Sequence, residues 1–412
     1  MKSSASAPTF SRGQSQADWE RRIDFAALRA GRVEAVRRAL GERGLDAAFL
    51  WRDENVRYLT SLRAIMLQFR ACTTYGVFLH REGQPVVFVS SGDLVRAREG
   101  MDWIQEFHPI PILDEPGLVD RAVKEKVLPV FERHGVARGR VAVDALSFLQ
   151  RQALDRHLPG VEWADGDSLL NRVRGVKLPE ELAVLEEVTA LADSVLLEAI
   201  KAVAPGAREC EVAGEALRVL FRLGGELSHT ASPFVASGER MCPPTRFSTD
   251  KLIRWGDLVF IDVGAYWSGY FADVGRTVIC GRPSPEQKRV YRAVYEALQA
   301  GIEAIRPGVR CSEVARAIRD RARAHGLGDR FIDLFIGHGV GCAPAESPFL
   351  GETMPGAEDV VLEPNMVLAL EPLIWIPGVP GGAGVRLEDM VAVTESGCRV
   401  MSRLPFDERL LS

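Results

Sequence analysis

The chain has 412 residues, 47% apolar and 26% charged, a balance that supports buried cores and excludes a disordered or fibrous protein. At ~150 residues per domain this length suits two or three domains. The net charge of −5 excludes a general nucleic-acid binder, and no apolar run approaches the ~18 residues of a membrane span.

Residues 1–24 are Ser-, Ala- and Gln-rich and are read as a loose arm. The stretch 1–22 lacks the apolar segment of a secretory signal, so a cytoplasmic location is expected. The cysteines are odd in number, scattered and free of C-x-x-C pairs, which suits reduced thiols and argues against a cysteine-built zinc site. From Leu28 a helical pattern follows, with Val33, Val36 and Leu40 recurring every three or four residues up to Gly44. β-rich runs come next at 47–51, 75–80, 85–89 and 141–144, with a helical stretch around 123–134. Strands alternating with helices predict an α/β domain over residues 25–175, without a catalytic constellation.

The remainder, 176–412, contains an internal repeat. Residues 200–224 read IKAVAPGARECEVAGEALRVLFRLG, and 102 positions later 302–326 read IEAIRPGVRCSEVARAIRDRARAHG. Pro205/Pro307, Gly206/Gly308, Arg208/Arg310, Glu211/Glu313 and Gly224/Gly326 match without a gap. Two amphipathic helices resemble each other by chance easily; a shared Pro-Gly break and a shared terminal Gly make chance a poor account. The expectation is one α/β domain of two halves with pseudo-twofold symmetry, starting at the charged stretch 177–181.

Between the repeats, LVFIDVGAYWSGYFADVGRTVI (258–279) places Asp262 and Asp273 in two apolar strand-like runs, 258–263 and 272–279, around a glycine-containing loop. Burying a carboxylate costs several kcal/mol unless it is paired or holds a metal. Backbone donors or Arg276 are the plain alternative partners. His338 sits in Gly-His-Gly-Val-Gly, whose glycines permit close approach of backbone or ligand; Glu371 ends an apolar run, and Glu388 lies in Val-Arg-Leu-Glu-Asp-Met. Four carboxylates and one imidazole suit two divalent ions of Mn, Fe, Co or Zn better than one structural zinc. A pair of ions ~3.5–4 Å apart lowers the pKa of a shared water and aims it at an electrophile.

The order D…D…GHG…E-P…R-x-E-D resembles the M24 metallopeptidases, the pita-bread enzymes that include prolidase, aminopeptidase P and creatinase. The resemblance covers roughly 177–400, and the preceding domain is similar to the creatinase-type amino-terminal domain. It implies that Asp262, Asp273, His338, Glu371 and Glu388 are the metal ligands. Asp273 and Glu388 would bridge the ions, Asp262 would hold one, and His338 with Glu371 the other; Glu371 would also move a proton. It further implies a small-molecule substrate and a homodimer in which residues 69–71 lie near the neighbouring pocket.

The departures are specific. Family peptidases usually read G-H-G-x-G-x-x-x-H-E-x-P; this chain reads GHGVGCAPAESP, with Ala345 in place of the second His. A second substrate-facing His is replaced by Thr245, eleven residues before Gly256. Losing such donors is expected to cost an ordinary Xaa-Pro peptidase ~10²-fold or more. The segments VASGERMCPPTRF, FRA, HGVGC and PFDERLL look similar to the M24-fold dimethylsulfoniopropionate lyase, which also lacks both histidines. That enzyme carries an extra aspartate at the position of Gly264, and its proposed catalytic aspartate falls at Pro344, with Glu346 the nearest acid. Glu346 is therefore an expected helper in proton transfer. Arg386, Arg240, Arg246 and His229 are candidate substrate contacts, Arg386 foremost because it lies two residues from Glu388. Trp267, Tyr270, Phe271 and Trp375 are read as core or as walls of an apolar pocket.

The expected function is a dinuclear metal-dependent hydrolase that cleaves a C–N bond in a small carboxylate-bearing substrate. A β-eliminating lyase on the same scaffold is the alternative; a non-catalytic binding module has no need of all five ligands. No nucleic-acid or membrane partner is expected.

Overall fold

The computed structural model describes residues 23–63, 74–227, 233–245, 247–331, 336–351 and 358–412. The expectations placed on residues 69–71, His229 and Arg246 lie outside the described residues.

Asp24 starts the first helix, Phe25–Glu42, by accepting from the backbone N–H of Ala26 (3.0 Å) and Ala27 (2.9 Å). Its Leu28, Val33, Val36 and Leu40 are buried, as their spacing predicts. A six-stranded mixed sheet follows: β1 (Ala47–Leu50), β2 (Tyr75–His80), β3 (Val86–Ser90), β4 (Glu106–Ile110), β5 (Arg140–Val143) and β6 (Glu162–Asp165), in the order β4-β3-β2-β1-β5-β6. The four inner strands are the apolar runs recognised in the sequence. The two edge strands, Glu-Phe-His-Pro-Ile and Glu-Trp-Ala-Asp, are half polar because edges face water, so no apolar run announces them.

In the inner strands side chains alternate between two cores. Phe49, Phe78, Val86 and Phe88 pack on one face with Phe131 and Leu154. Ala48, Leu50, Val77, Val87 and Val89 join a second core that also holds Val184, Val188, Val259 and Ile261 of the carboxyl-terminal half. The two parts of the chain therefore share packed apolar surface.

Beyond residue 176 the repeat is visible as geometry. The helices Pro179–Lys201 and Glu209–Arg222 correspond to Pro285–Ala304 and Cys311–Ala324, the second helix of each pair keeping the 102-residue offset. Gly206 and Gly308 take the left-handed conformation (φ 90° and 86°) at the break. Each then donates its N–H to an equivalent carbonyl just after an isolated bridge, Gly206 to Ile253 O and Gly308 to Leu362 O, both at 2.9 Å.

Each half supplies a sheet. The first is β7 (Phe234–Ser237), β8 (Leu258–Trp267) and β9 (Tyr270–Ile279), antiparallel in that order. The second takes β10 (Gly337–Gly339), β11 (Glu346–Leu350), β12 (Val367–Leu370), β15 (Asp389–Val393) and β16 (Cys398–Val400), in the order β11-β10-β12-β15-β16; β13 (Leu373–Trp375) and β14 (Gly384–Arg386) pair separately. The predicted loop between the two aspartate runs is instead a two-residue turn, with Ser268 (φ 49°) and Gly269 (φ 85°) both left-handed, the type I′ signature. Gly264 stays in the strand because its bare Cα faces Phe271: a Cβ there would lie 2.2 Å from the ring.

Strand alternation positions the site. On β8, Val259, Ile261, Val263 and Ala265 face the first half's helices, as do Ala272, Val274 and Val278 on β9. The intervening residues, Asp262 and Asp273 among them, point inward between the halves.

Candidate metal centre

Asp262 pairs with Gly275 and Asp273 with Gly264, so the two aspartates are diagonal neighbours on one face of the β8–β9 ladder. The second half reaches them through one bridge, where Glu388 N donates to Gly275 O at 3.0 Å. Gly275 also makes room for Glu388, because a Cβ there would lie 2.8 Å from Glu388 Oε2. Leu370 pairs with Asp389, so Glu371 and Glu388 extend the β12–β15 ladder toward the same end. His338 lies on the neighbouring β10, opposite Ala369.

All five residues selected from the sequence converge. His338 Nε2 is 3.3 Å from Glu371 Oε1 and 3.7 Å from Asp273 Oδ2. One donor atom each from Asp273, His338 and Glu388 lies within 4.8 Å of the others. His338 Nδ1 is 3.0 Å from Gly339 O. A carbonyl only accepts, so the ring proton belongs on Nδ1 and Nε2 presents its lone pair to the carboxylates. Burial holds the His338 pKa down, which favours this neutral ring. Burial, then the charges of Glu388 and Asp262, push the Asp273 carboxyl well above its ordinary range. Asp273 keeps 16% of its side chain exposed, whereas Glu371 keeps 1%, so Asp273 marks the open side.

The donor set fits divalent metal. Four carboxylates, Asp262, Asp273, Glu371 and Glu388, meet an imidazole and the Arg386 guanidinium, and the negative charge left over costs free energy unless further cations complete it. Arg276, the alternative partner for the aspartates, points the other way: its guanidinium donates to Glu388 O (2.6 Å), Asp389 Oδ1 (2.7 Å) and Leu404 O (2.6 Å).

The structure also places three other candidate residues. Arg386, the foremost candidate substrate contact, is buried against Glu371 and lies 3.5 Å from Asp262 Oδ2. Arg240, a candidate substrate contact, pairs with the buried Glu209, bonds Thr249 and donates to Phe247 O at 2.7 Å. Glu346, the expected helper in proton transfer, lies between two cations, with Lys177 Nζ (2.8 Å) on one oxygen and Arg174 Nε (3.1 Å) on the other. Burial alone would raise its pKa, but those two cations outweigh burial and hold it low. The glycines around His338 permit close approach within the chain: Cβ atoms at Gly337, Gly339 and Gly341 would meet Ala369 O, Ser347 O and the Glu346 carboxylate. Tyr270 and Phe271 are core residues.

Arg174 and Lys177 were not singled out for the site by sequence reasoning. Their signal was an Arg-x-x-Lys spacing at the domain junction, which reads as an ordinary charged linker.

The chain matches Metallopeptidase family M24 over residues 183–395 and the Creatinase/Prolidase N-terminal domain over residues 32–176. An uncharacterised peptidase of Bacillus subtilis (strain 168) is 30% identical over 91% of this chain and 98% of its own. The Xaa-Pro dipeptidase of Pyrococcus furiosus is 34% identical over 58% of this chain and 66% of its own. Among solved structures, the Xaa-Pro dipeptidase from Bacillus anthracis superposes with a TM-score of 0.77 at 26% identity, over 92% of this chain and 99% of that one.

Proposed function

Because the chain belongs to metallopeptidase family M24, we propose that it is a dinuclear metal-dependent hydrolase that cleaves a C–N bond in a small carboxylate-bearing substrate, as a relative of the Xaa-Pro dipeptidases. The observation that carries this reading is the convergence of Asp262, Asp273, His338, Glu371 and Glu388 from both halves into one cluster. In it Asp262, Asp273, His338, Glu371 and Glu388 would hold two ions of Mn, Fe, Co or Zn. The ions supply Lewis-acid polarisation and a water acidified to near neutral pH.

The chain's own residues do the rest. Glu371 takes a proton on its carboxylate and returns it to the leaving nitrogen. His338, neutral and fixed through Nδ1, keeps its Nε2 lone pair toward the centre. Divalent cations would neutralise the four carboxylates and leave the Arg386 guanidinium as the excess positive charge, which suits an anionic substrate group. The domain boundary in this reading falls between residues 175 and 176, the protein is a cytoplasmic homodimer, and no helix among the described residues is long and apolar enough to cross a membrane.

A lyase of the dimethylsulfoniopropionate-cleaving type is retained as a second reading because neither histidine position carries an imidazole: Thr245 and Ala345 are both exposed. Against it, Phe271 fills the space that an aspartate at position 264 would need. The test is turnover of Gly-Pro, Ala-Pro, betaines and dimethylsulfoniopropionate in ¹⁸O-labelled water. Hydrolysis puts label in the product; an unlabelled alkene product would replace the hydrolase by the lyase. Gly-Pro and Ala-Pro are expected to turn over weakly, and brisk cleavage would show that the scaffold compensates for both missing histidines.

A further inference from the structure

We propose that Glu346 is a positioning residue that fixes the His338 strand to the amino-terminal domain through Arg174 and Lys177. The inference rests on the metal-centre reading of His338 and adds what holds that ligand in place.

The local geometry begins at β10. His338 pairs with Phe349 and the next residue, Gly339, with Glu346, so the β10–β11 ladder is interrupted between them. Such interruptions turn a side chain out of its regular path, and they must be held from outside because the ladder no longer holds them. Glu346 is the first residue of β11 after this break and is 3% exposed. Gly341 curls around it, with space for no more than a hydrogen, since a Cβ would sit 2.4 Å from Glu346 Oε1.

Both partners come from the junction of the domains. Arg174 lies in the last helix of the amino-terminal domain, Gly166–Gly175, and Lys177 follows it. Lys177 Nζ also donates to Arg174 O at 2.7 Å, and its backbone N donates to Asn365 O at 3.0 Å. Arg174 in turn bonds Asn55 Oδ1, and Asn55 Nδ2 donates to Asp144 Oδ2 at 2.9 Å. A hydrogen-bonded chain thus runs from Asp144, after β5 of the first sheet, to β11, the strand paired with the one that carries His338. One anion between two buried cations is held by charge as well as by geometry, and removing either sign leaves an uncompensated buried charge. A residue that fixes a strand is held most firmly through both oxygens, and both are engaged.

Residues that orient a metal ligand from outside typically change metal affinity ~10–100-fold when altered. The experiment uses the full chain stripped of metal and Co²⁺ alone as probe, with the dissociation constant read by chelator competition and the Tm measured on the apoprotein. Glu346→Asp keeps the charge but is too short to reach both cations. A second variant, Arg174→Met with Lys177→Met and Glu346→Leu, removes the charges together and keeps a filled interior should the single variant fold poorly. The control, Val130→Ala, lowers stability in the distant core of the first domain. Both clamp variants are expected to bind Co²⁺ about tenfold or more weakly than wild type, with the control unchanged. Wild-type Co²⁺ affinity in the clamp variants, or an equal loss in Val130→Ala, overturns the positioning role and leaves a general stability effect. A wild-type chain that binds no Co²⁺ overturns the metal-centre reading itself.

Discussion

Gly275→Ala reaches the centre through one added methyl group and changes no ligand. The new Cβ would lie 2.8 Å from Glu388 Oε2 and 3.3 Å from both Glu388 Cβ and the Phe260 ring. Ordinary contact begins at 3.4 Å, so the Glu388 carboxylate must withdraw by roughly 0.6 Å. Overpacking of this kind costs about 1–3 kcal/mol of stability. The functional effect is expected to be larger in proportion, because sites of this type tolerate displacements of only ~0.5 Å and a 1 Å error costs ~10²-fold in rate. Chelator competition with Mn²⁺ should therefore show a loss of about tenfold or more in affinity, with a parallel loss of activity. Gly214→Ala is the control: it sits in the helix Glu209–Arg222 with open space around it, and Ala there should add up to ~1 kcal/mol of stability without altering metal binding. Unchanged Mn²⁺ affinity in Gly275→Ala, together with a lowered Tm, would show that Glu388 does not hold the ion.

Glu371→Gln keeps size and removes the proton-accepting charge, so turnover on any substrate found by the panel should fall ~10²–10⁴-fold while part of the metal is retained; near-wild-type turnover would contradict the role. Sedimentation should give twice the 45.3 kDa chain mass, and a fully active monomer would remove the homodimer from the account.

The acidic cluster was legible because acids in otherwise apolar runs need a partner: Asp262 and Asp273 stand in strands, and Glu388 directly precedes one. The repeat was legible for a similar reason: Gly206 and Gly308 occupy backbone conformations that few other residues accept, so they survive in both copies. Second partners were harder to read. Glu346 reads as a helper in proton transfer because it is the nearest acid, and only the fold brings Arg174 and Lys177, about 170 positions earlier in sequence, onto its two oxygens. Arg240 is a candidate because an arginine can hold a substrate carboxylate; its pairing with Glu209, thirty-one residues before it, shows only in the fold. Charge pairs of this kind carry no periodicity, whereas strands and helices do. The edge strands β4 and β6 escaped for the opposite reason, being too polar to stand out.

Metal analysis of protein purified without chelator tests the central claim most directly. Five convergent ligands exceed what one tetrahedral ion uses, so about two transition-metal ions per chain are predicted for the wild type. Asp273→Ala and Glu388→Ala should lose metal more completely than Asp262→Ala, because each of those two serves both ions. Full metal occupancy in the Glu388→Ala protein would contradict the assignment of the centre.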